Sequence, residues 1–376
     1  MKVLMQGRYG LLSATGGDRI QIENTAAELK RLGVEVEIKD NDVTDYSDYD
    51  LVHVFQMDWT PETHFFVKEA KKAEMPVVFS PIHHKVSEVK KFDEVCVYDY
   101  RRIAKFLFRE QHARDTFKNV YRSFLHPSSK LMPTLKSIFK GLKNMHIESL
   151  SMADVILVQT ELEARDLKDT YNVDFKWEKV PNGVGEHFLN TEHLKNPLHT
   201  KDYIFSVGRI EPRKNQLNLI KAVQILRQET GKDLKLVIVG KPTPVNHIEY
   251  NLRFTLELKK NNWVTHINSV PYTEIPSYFK FAKVSVSASW FESTGLTLLE
   301  ALYCGSNAVA TSPRAKEILG DFASYCEPDN VESIKTAIAK ELSSPRPVID
   351  EIMKKEYTWE NAAKKTYEVY QGLLNK

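Results

Sequence analysis

What most constrains this chain is a repeated alternation of short, β-branched apolar runs with stretches of helical spacing, broken by Gly- and Pro-containing turns. In the first half, Val3 to Met5, Val34 to Ile38, Leu51 to Phe55, Val77 to Phe79 and Asp154 to Thr160 read as strands. Ile20 to Leu32 reads as a helix, with Ile22, Ala26 and Leu29 on one face and Gly33 as its C-cap; about Glu62 to Ala73 and Glu161 to Asp169 read as two more. Strands separated by helices pair as neighbours only through crossovers, so the expected sheet is parallel and doubly wound. The pattern resumes with strands at Tyr203 to Val207, Leu234 to Gly240, Val264 to Val270, Val309 to Thr311 and Ser324 to Glu327. Helices are expected there at Gln216 to Leu226, Tyr250 to Lys260, Leu296 to Tyr303 and from Trp359 onward. A chain of 376 residues exceeds one typical core, so the expectation is α/β with two Rossmann-like domains.

Composition removes several classes. Lys and Arg number 52 against 50 Asp and Glu, which leaves no global field to attract nucleic acid. Cys96, Cys304 and Cys326 are unclustered and lack metal-ligand spacing, so no metal is expected and a reducing compartment is. The start, Met-Lys-Val-Leu-Met-Gln-Gly, is too short for a signal-peptide core, and no run approaches the ~20 apolar residues of a membrane span. A cytoplasmic protein is expected. After Met5 the Gly-x-Gly-x-x-Gly dinucleotide fingerprint is missing, which counts against a nicotinamide enzyme.

The chemistry concentrates in Ser289 to Gly305 (Ser-Trp-Phe-Glu-Ser-Thr-Gly-Leu-Thr-Leu-Leu-Glu-Ala-Leu-Tyr-Cys-Gly). Val284 and Val286 lead in as a strand, and Leu296 to Tyr303 leave as a helix. Ser293, Thr294, Gly295 and Leu296 would present unpaired amides and a positive dipole end to an anion, phosphate above all. Glu292 in the loop and Glu300 on the helix bracket the turn; Glu300 suits a diol such as ribose, and Glu292 whatever the phosphates carry. Upstream, Arg209 and Lys214 flank the turn after the Tyr203 to Val207 strand, as paired cations would flank a diphosphate.

Glu-x7-Glu within Phe-Glu-Ser-Thr-Gly-Leu-Thr-Leu-Leu-Glu-Ala resembles the signature of the retaining glycosyltransferase family 4, whose fold is GT-B: two Rossmann-like domains facing a central cleft. Further resemblances fall in family order: Gly16-Gly17 before a helix, the His after the fourth strand, Val180-Pro181-Asn182-Gly183-Val184, and Gly-Arg…Lys-Asn at 208 to 215, where Asn215 stands for the usual Gly. The resemblance implies an acceptor-side domain over 1–195 and a nucleotide-sugar domain over 196–355. A helix over 356–376 would cross back to the first domain. It implies that Arg209, Lys214 and the Ser293 to Gly295 amides hold a diphosphate, Glu300 the ribose and Glu292 the sugar hydroxyls. A His at 83–84 would line the cleft, Gly16 and Gly17 would face phosphates and acceptor, and the Val270 region would receive the base. The implied enzyme is a metal-independent hexosyltransferase that needs no cofactor. It would move sugar from a UDP- or GDP-sugar to a glycan or lipid-linked acceptor in cell-surface polysaccharide or glycolipid synthesis.

Other readings stay open beside this one. Gly16-Gly17 also suits a plain turn, and His83-His84 a structural pair. An epimerase or phosphorylase on the same fold would need an added acid/base or cofactor lysine, for which the chain offers no distinct candidate; a non-catalytic binding module is the remaining alternative. The stretch Arg101 to Lys143 carries eleven Lys or Arg against Glu110 and Asp115, interleaved with aromatics such as Phe106, Phe108 and Phe117. That composition suits an anionic membrane surface, making the protein peripheral on the inner face, and equally suits a helical insertion packed on its own domain.

Overall fold

The computed structural model describes residues 1–13, 16–58, 60–95, 98, 113–114, 140–243 and 247–375. Most of the basic run at 101–143 lies outside them; its described members are 113–114 and 140–143. The first half runs β1 (Lys2–Gln6), α1 (Gly17–Arg31), β2 (Glu35–Lys39), β3 (Leu51–Phe55), α2 (Thr60–Lys72), β4 (Val77–Ser80) and α3 (Val86–Val95). It continues with α4 (Leu142–Met152), β5 (Val155–Val158), α5 (Glu161–Tyr171), β6 (Trp177–Lys179) and α6 (Glu186–Leu189). The second half opens with β7 (Tyr203–Val207), α7 (Gln216–Thr230), β8 (Leu236–Val239), α8 (Ile248–Lys260) and β9 (Val264–Ile267). Then come α9 (Ile275–Phe281), β10 (Ala282–Val286), α10 (Leu296–Tyr303), β11 (Asn307–Ala310) and α11 (Pro313–Leu319). The chain closes with β12 (Ala323–Tyr325), α12 (Val331–Ser343), α13 (Glu351–Glu356) and α14 (Trp359–Leu374).

Two compact units result: Met1–Val86, Ala104–Gly183 and Glu356–Lys376 form the first, and Ser87–Ile103 with Val184–Lys355 the second. Each holds one six-stranded sheet whose described pairings are all parallel, as the alternation of runs requires. In the first the strand order is β2-β1-β3-β4-β5-β6, in the second β12-β11-β10-β7-β8-β9. Successive crossovers therefore reverse direction between β1 and β3, and between β7 and β10. At such a switch point two neighbouring loops part, leaving a crevice at the carboxyl ends of the strands where open α/β sheets take ligands.

Central strands are buried on both sides, so they read as unbroken apolar runs: Leu51 to Phe55 and Leu236 to Val239 are buried throughout. Helix limits follow local chemistry. Thr160, Asn330 and Thr358 accept backbone N–H bonds as N-caps of α5, α12 and α14. Gly33 (φ +83°) and Gly231 (φ +65°) take the left-handed conformation that ends α1 and α7. Helix α7 runs four residues past its expected end, to Thr230, because the next helix breaker is Gly231. Strand β9 stops at Ile267, short of the expected Val270.

Helix α14 packs against α1, and its Ala363 and Tyr370 join Ile22, Ala26 and Leu29 in one buried cluster of the first unit. Tyr370 Oη lies 2.6 Å from Nδ1 of His53 on β3, whose Nε2 lies 2.8 Å from Ser80 Oγ. Burial pulls His53 down to about 3, so it is a neutral core group. Gly183 admits the start of this helix: a Cβ there would sit 2.0 Å from the Trp359 backbone nitrogen.

Candidate active site

In the second unit the two loops at the β7/β10 switch point carry the residues singled out by sequence. After β7 the chain passes through Gly208 and Arg209 into a 3₁₀ turn, Pro212–Lys214, and Asn215 turns left-handed (φ +61°) to start α7. That conformation explains why Asn serves where the family pattern has Gly. The Asn215 side chain donates to the Ala288 and Pro328 carbonyls at 3.0 and 2.7 Å, so it also ties the two loops together. The Lys214 stem lies along Gly208, where an added Cβ would come within 3.3 Å of Lys214 Cε.

After β10, Gly295 (φ +72°) makes the turn into α10, and no side chain caps this helix. Its amide-rich, positive end is thus uncapped within a loop holding Ser293, Thr294 and Leu296, the arrangement expected for an anion. Lys214 Nζ lies 2.5 Å from Glu292 Oε1, and Arg213 Nη1 lies 3.8 Å from Glu292 Oε2. Burial would raise the Glu292 carboxyl, but Lys214 and Arg213 outweigh it and hold it at about 2. Burial draws Lys214 below the usual lysine value against the pull of Glu292. Arg209 is exposed, 3.5 Å from the buried Glu211 carboxylate. The site thus offers two half-buried cations, Lys214 and Arg213, one outer cation, Arg209, and a carboxylate that stays charged at neutral pH.

Arg213, next to Lys214 in the 3₁₀ turn, takes part as well. Its side chain is one-fifth exposed, donates to Glu211 at 3.1 Å and stacks over the Phe291 ring at 5.4 Å. Trp290 and Phe291 pack in turn on Phe92 of α3, with ring centroids 5.8 and 5.7 Å apart. Sequence reading assigned α3 no role, yet within this unit it backs the loop that carries Glu292.

Glu300 is buried on α10, and burial pushes its carboxyl up to about 8 against the opposing hydrogen bond from Tyr272. The Tyr272 hydroxyl donates to Glu300 Oε1. The Tyr272 ring sits edge-on to His187 and Phe188 of α6, at 4.8 and 5.4 Å. Val270, half-buried, lies in the loop between β9 and the 3₁₀ turn that bears Tyr272. Glu300 and the Val270 loop, whose exit Pro271-Tyr272 the family resemblance assigns to the base, are therefore joined through Tyr272.

In the first unit, Gly16 and Gly17 start α1 beside β1 at the β1/β3 switch point. Gly16 is extended, and its lack of a Cβ leaves room for Asp18, whose Oδ2 accepts from Arg8 Nε at 2.6 Å. The α1 terminus thus has an acid of its own in the first turn. His83 and His84 follow β4 and share Asp58: His83 Nδ1 is 3.1 Å from Oδ1, and His84 Nδ1 is 2.5 Å from Oδ2. Asp58 leaves from β3, the strand beside β4, and the two histidines outweigh burial to hold its carboxyl below the ordinary range. His83 is buried and its backbone N–H donates to Glu163 at 2.8 Å, whereas His84 is one-fifth exposed. No cluster of metal-ligating side chains occurs among the described residues.

The family described as "Glycosyl transferases group 1" matches residues 190–366. O-antigen chain mannosyltransferase B of Escherichia coli is 29% identical over 252 residues, covering 61% of this chain and 64% of that protein. A Campylobacter jejuni N-acetylgalactosamine-N,N'-diacetylbacillosaminyl-diphospho-undecaprenol 4-alpha-N-acetylgalactosaminyltransferase is 28% identical over 207 residues, 53% of this chain and 54% of that one. The chain thus spans under two thirds of either relative. Among solved structures, sucrose-phosphate synthase from Thermosynechococcus elongatus superposes with a TM-score of 0.70 at 14% identity, covering 100% of this chain and 99% of that one. At that identity the likeness concerns the fold, two Rossmann-like domains of the GT-B class.

Proposed function

Residues 190–366 belong to the group 1 glycosyl transferases, and on that premise we propose that the protein is a retaining hexosyltransferase. It moves a sugar from a UDP- or GDP-sugar to a glycan or lipid-linked acceptor in polysaccharide or glycolipid synthesis, on the cytoplasmic side of a membrane. The observation that carries this reading is the half-buried Lys214–Glu292 pair beside the uncapped start of α10, at the switch point of the second sheet.

In this reading the diphosphate lies against the Ser293 to Leu296 amides, with Lys214 and Arg209 drawn to its oxygens. As the bond from the anomeric carbon to the diphosphate oxygen breaks, negative charge grows on that oxygen, and the two cations stabilise it more than they do the intact donor. They supply the charge that a metal ion provides elsewhere, which makes the proposed reaction metal-independent. The acceptor hydroxyl bonds to the anomeric carbon on the face the leaving group departs from, and its proton passes to the leaving phosphate. Glu292, charged at neutral pH, takes hydrogen bonds from sugar hydroxyls, and Glu300 takes those of the ribose. The loop at Val270 takes the base. His83 and His84, oriented by Asp58, are the substrate-facing groups of the first unit, along with Gly16 and Gly17.

Thermal-shift and nucleotide-release assays with UDP-, GDP-, ADP- and dTDP-sugars test the proposal. Stabilisation and slow release with one donor are expected, and addition of an acceptor should raise the release rate. A folded protein that neither binds nor cleaves any of them would sink it.

A further inference from the structure

Helix α8 carries a stripe that the proposed chemistry does not use. Tyr250 and Phe254 turn inward and are 2% exposed, in the core cluster of the second unit. On the opposite side Ile248, Leu252 and Leu256 are 61%, 61% and 53% exposed. Their spacing of four places them in one line along the helix. Three large aliphatic side chains in line are more than the scattered exposed apolar residues of an ordinary surface. Such exposure costs hydration free energy unless something covers it.

The surrounding charge says what kind of cover fits. Arg253, Lys259 and Lys260 flank the stripe and are exposed. Two acids on the same helix answer them: Glu249 pairs with Arg253 at 2.8 Å and Glu257 with Lys260 at 3.0 Å. Lys259, beside Leu252 and Leu256 on the helix surface, has no acidic partner among the described residues. Tyr98 lies edge-on against Tyr250 of the same helix at 5.2 Å, and the Arg253 guanidinium covers the Tyr98 ring at 5.3 Å. Three residues past Tyr98 the sequence enters the run from Arg101 to Lys143, with its excess of nine positive charges.

We propose that α8 is a membrane-docking helix: Ile248, Leu252 and Leu256 enter the boundary of an anionic lipid bilayer while Lys259 and Lys260 meet its headgroups. An apolar line flanked by cations is what an in-plane interfacial helix presents, and anionic lipid attracts each nearby Lys or Arg. A second copy of the chain is the alternative cover, and the test separates it from lipid. The proposal goes beyond the transferase reading and does not depend on it.

The test is co-sedimentation of the full chain with phosphatidylglycerol vesicles and with pure phosphatidylcholine vesicles, at low and raised salt. Wild type should bind the anionic vesicles, less so as salt rises. Leu252→Glu with Leu256→Glu changes only exposed side chains, so its melting temperature should match wild type while vesicle affinity falls about tenfold or more. Lys259→Glu with Lys260→Glu should weaken binding to anionic vesicles and flatten its salt dependence. Wild-type affinity in the Leu pair variant would overturn the proposal, as would no binding by wild type at low salt. So would a solution dimer that the Leu pair variant dissociates without any vesicle binding, which would assign the stripe to a second copy. Because vesicle binding is read without nucleotide sugar, a failed transferase reading leaves this result standing, and the reverse.

Discussion

Glu292 and Lys214 neutralise each other in a loop pair suited to a third charged group. Removing either leaves its partner half-buried without its nearest counter-charge, Glu292 then facing only Arg213 at 3.8 Å, which costs about 3 kcal/mol in folding stability. The transfer rate should drop further: Glu292→Ala and Lys214→Ala are each expected to lose about a thousandfold or more in kcat, on the scale of lost charge stabilisation in a transition state. Normal turnover in either folded variant would remove the assignment. Glu300 invites a test of opposite sign. Its carboxyl is raised from an ordinary 4.5 to about 8, so between those values the folded protein keeps a proton that the unfolded chain gives up. Glu300 therefore lowers stability progressively as pH rises through that window, by up to about 1.4 kcal/mol per pH unit. Glu300→Gln should melt higher than wild type near neutral pH, with the gap widening toward pH 8, yet bind the nucleotide about tenfold more weakly. Melting curves across that range decide it, and an identical pH slope in the two proteins would contradict the buried, protonated state. Arg209, Lys214, Glu292 and Glu300 were legible in sequence because each sits at a fixed offset from a strand end or a glycine turn. The bond from Tyr272 to Glu300 was not, because it joins side chains 28 residues apart on different elements. Asp58 was missed for the same reason, with 25 residues to His83 and 26 to His84.

At the scale of elements, the loop bearing Glu292 depends on a helix from far upstream. Phe92 of α3 is 1% exposed and forms a small cluster with Trp290 and Phe291. Phe92→Ala should cost about 3 to 5 kcal/mol and raise KM for the donor more than Phe92→Leu does, because the emptied space loosens the loop. Urea unfolding with donor titration checks this, and a stability loss without any change in donor KM would separate α3 from the site. Strands such as β3, β7 and β8 could be read directly, since burial on both faces leaves an uninterrupted apolar run as their trace. Strand β6, Trp177–Lys179, is three residues long with Glu178 and Lys179 in it, so no run marks it. Helix α3 carries the charged series Glu88, Lys90, Lys91, Asp93 and Glu94 with Phe92 between, and a lone buried aromatic on a polar helix does not reveal its neighbour. Gly183 was legible as part of the family-like segment Val180 to Val184, but the backbone pressing on it comes from Thr358 and Trp359, which no local pattern could indicate.

For the whole molecule, the chain crosses between its two units more than once, yet each unit has its own buried clusters. Those around β3–β5 and β1–α1–α14 serve the first, and the one around β7–β8–α7–α12 the second. Separate cores of this size support separate cooperative transitions. Calorimetry should therefore show two unfolding steps, distinguished by two perturbations that act on different cores. Removing residues 359–374 strips Ala363 and Tyr370, the partner of His53, from the first unit, so it should lower one step. A matching nucleotide, bound by the second unit in the proposed reading, should raise the other by an amount that grows with the logarithm of its concentration. If the shortened chain keeps the nucleotide-dependent step, the second unit holds its phosphate site by itself, and the donor can be identified on that unit alone. A single transition moved by both perturbations would mean instead that the two cores unfold as one, and that α14 contributes to donor affinity through stability of the whole.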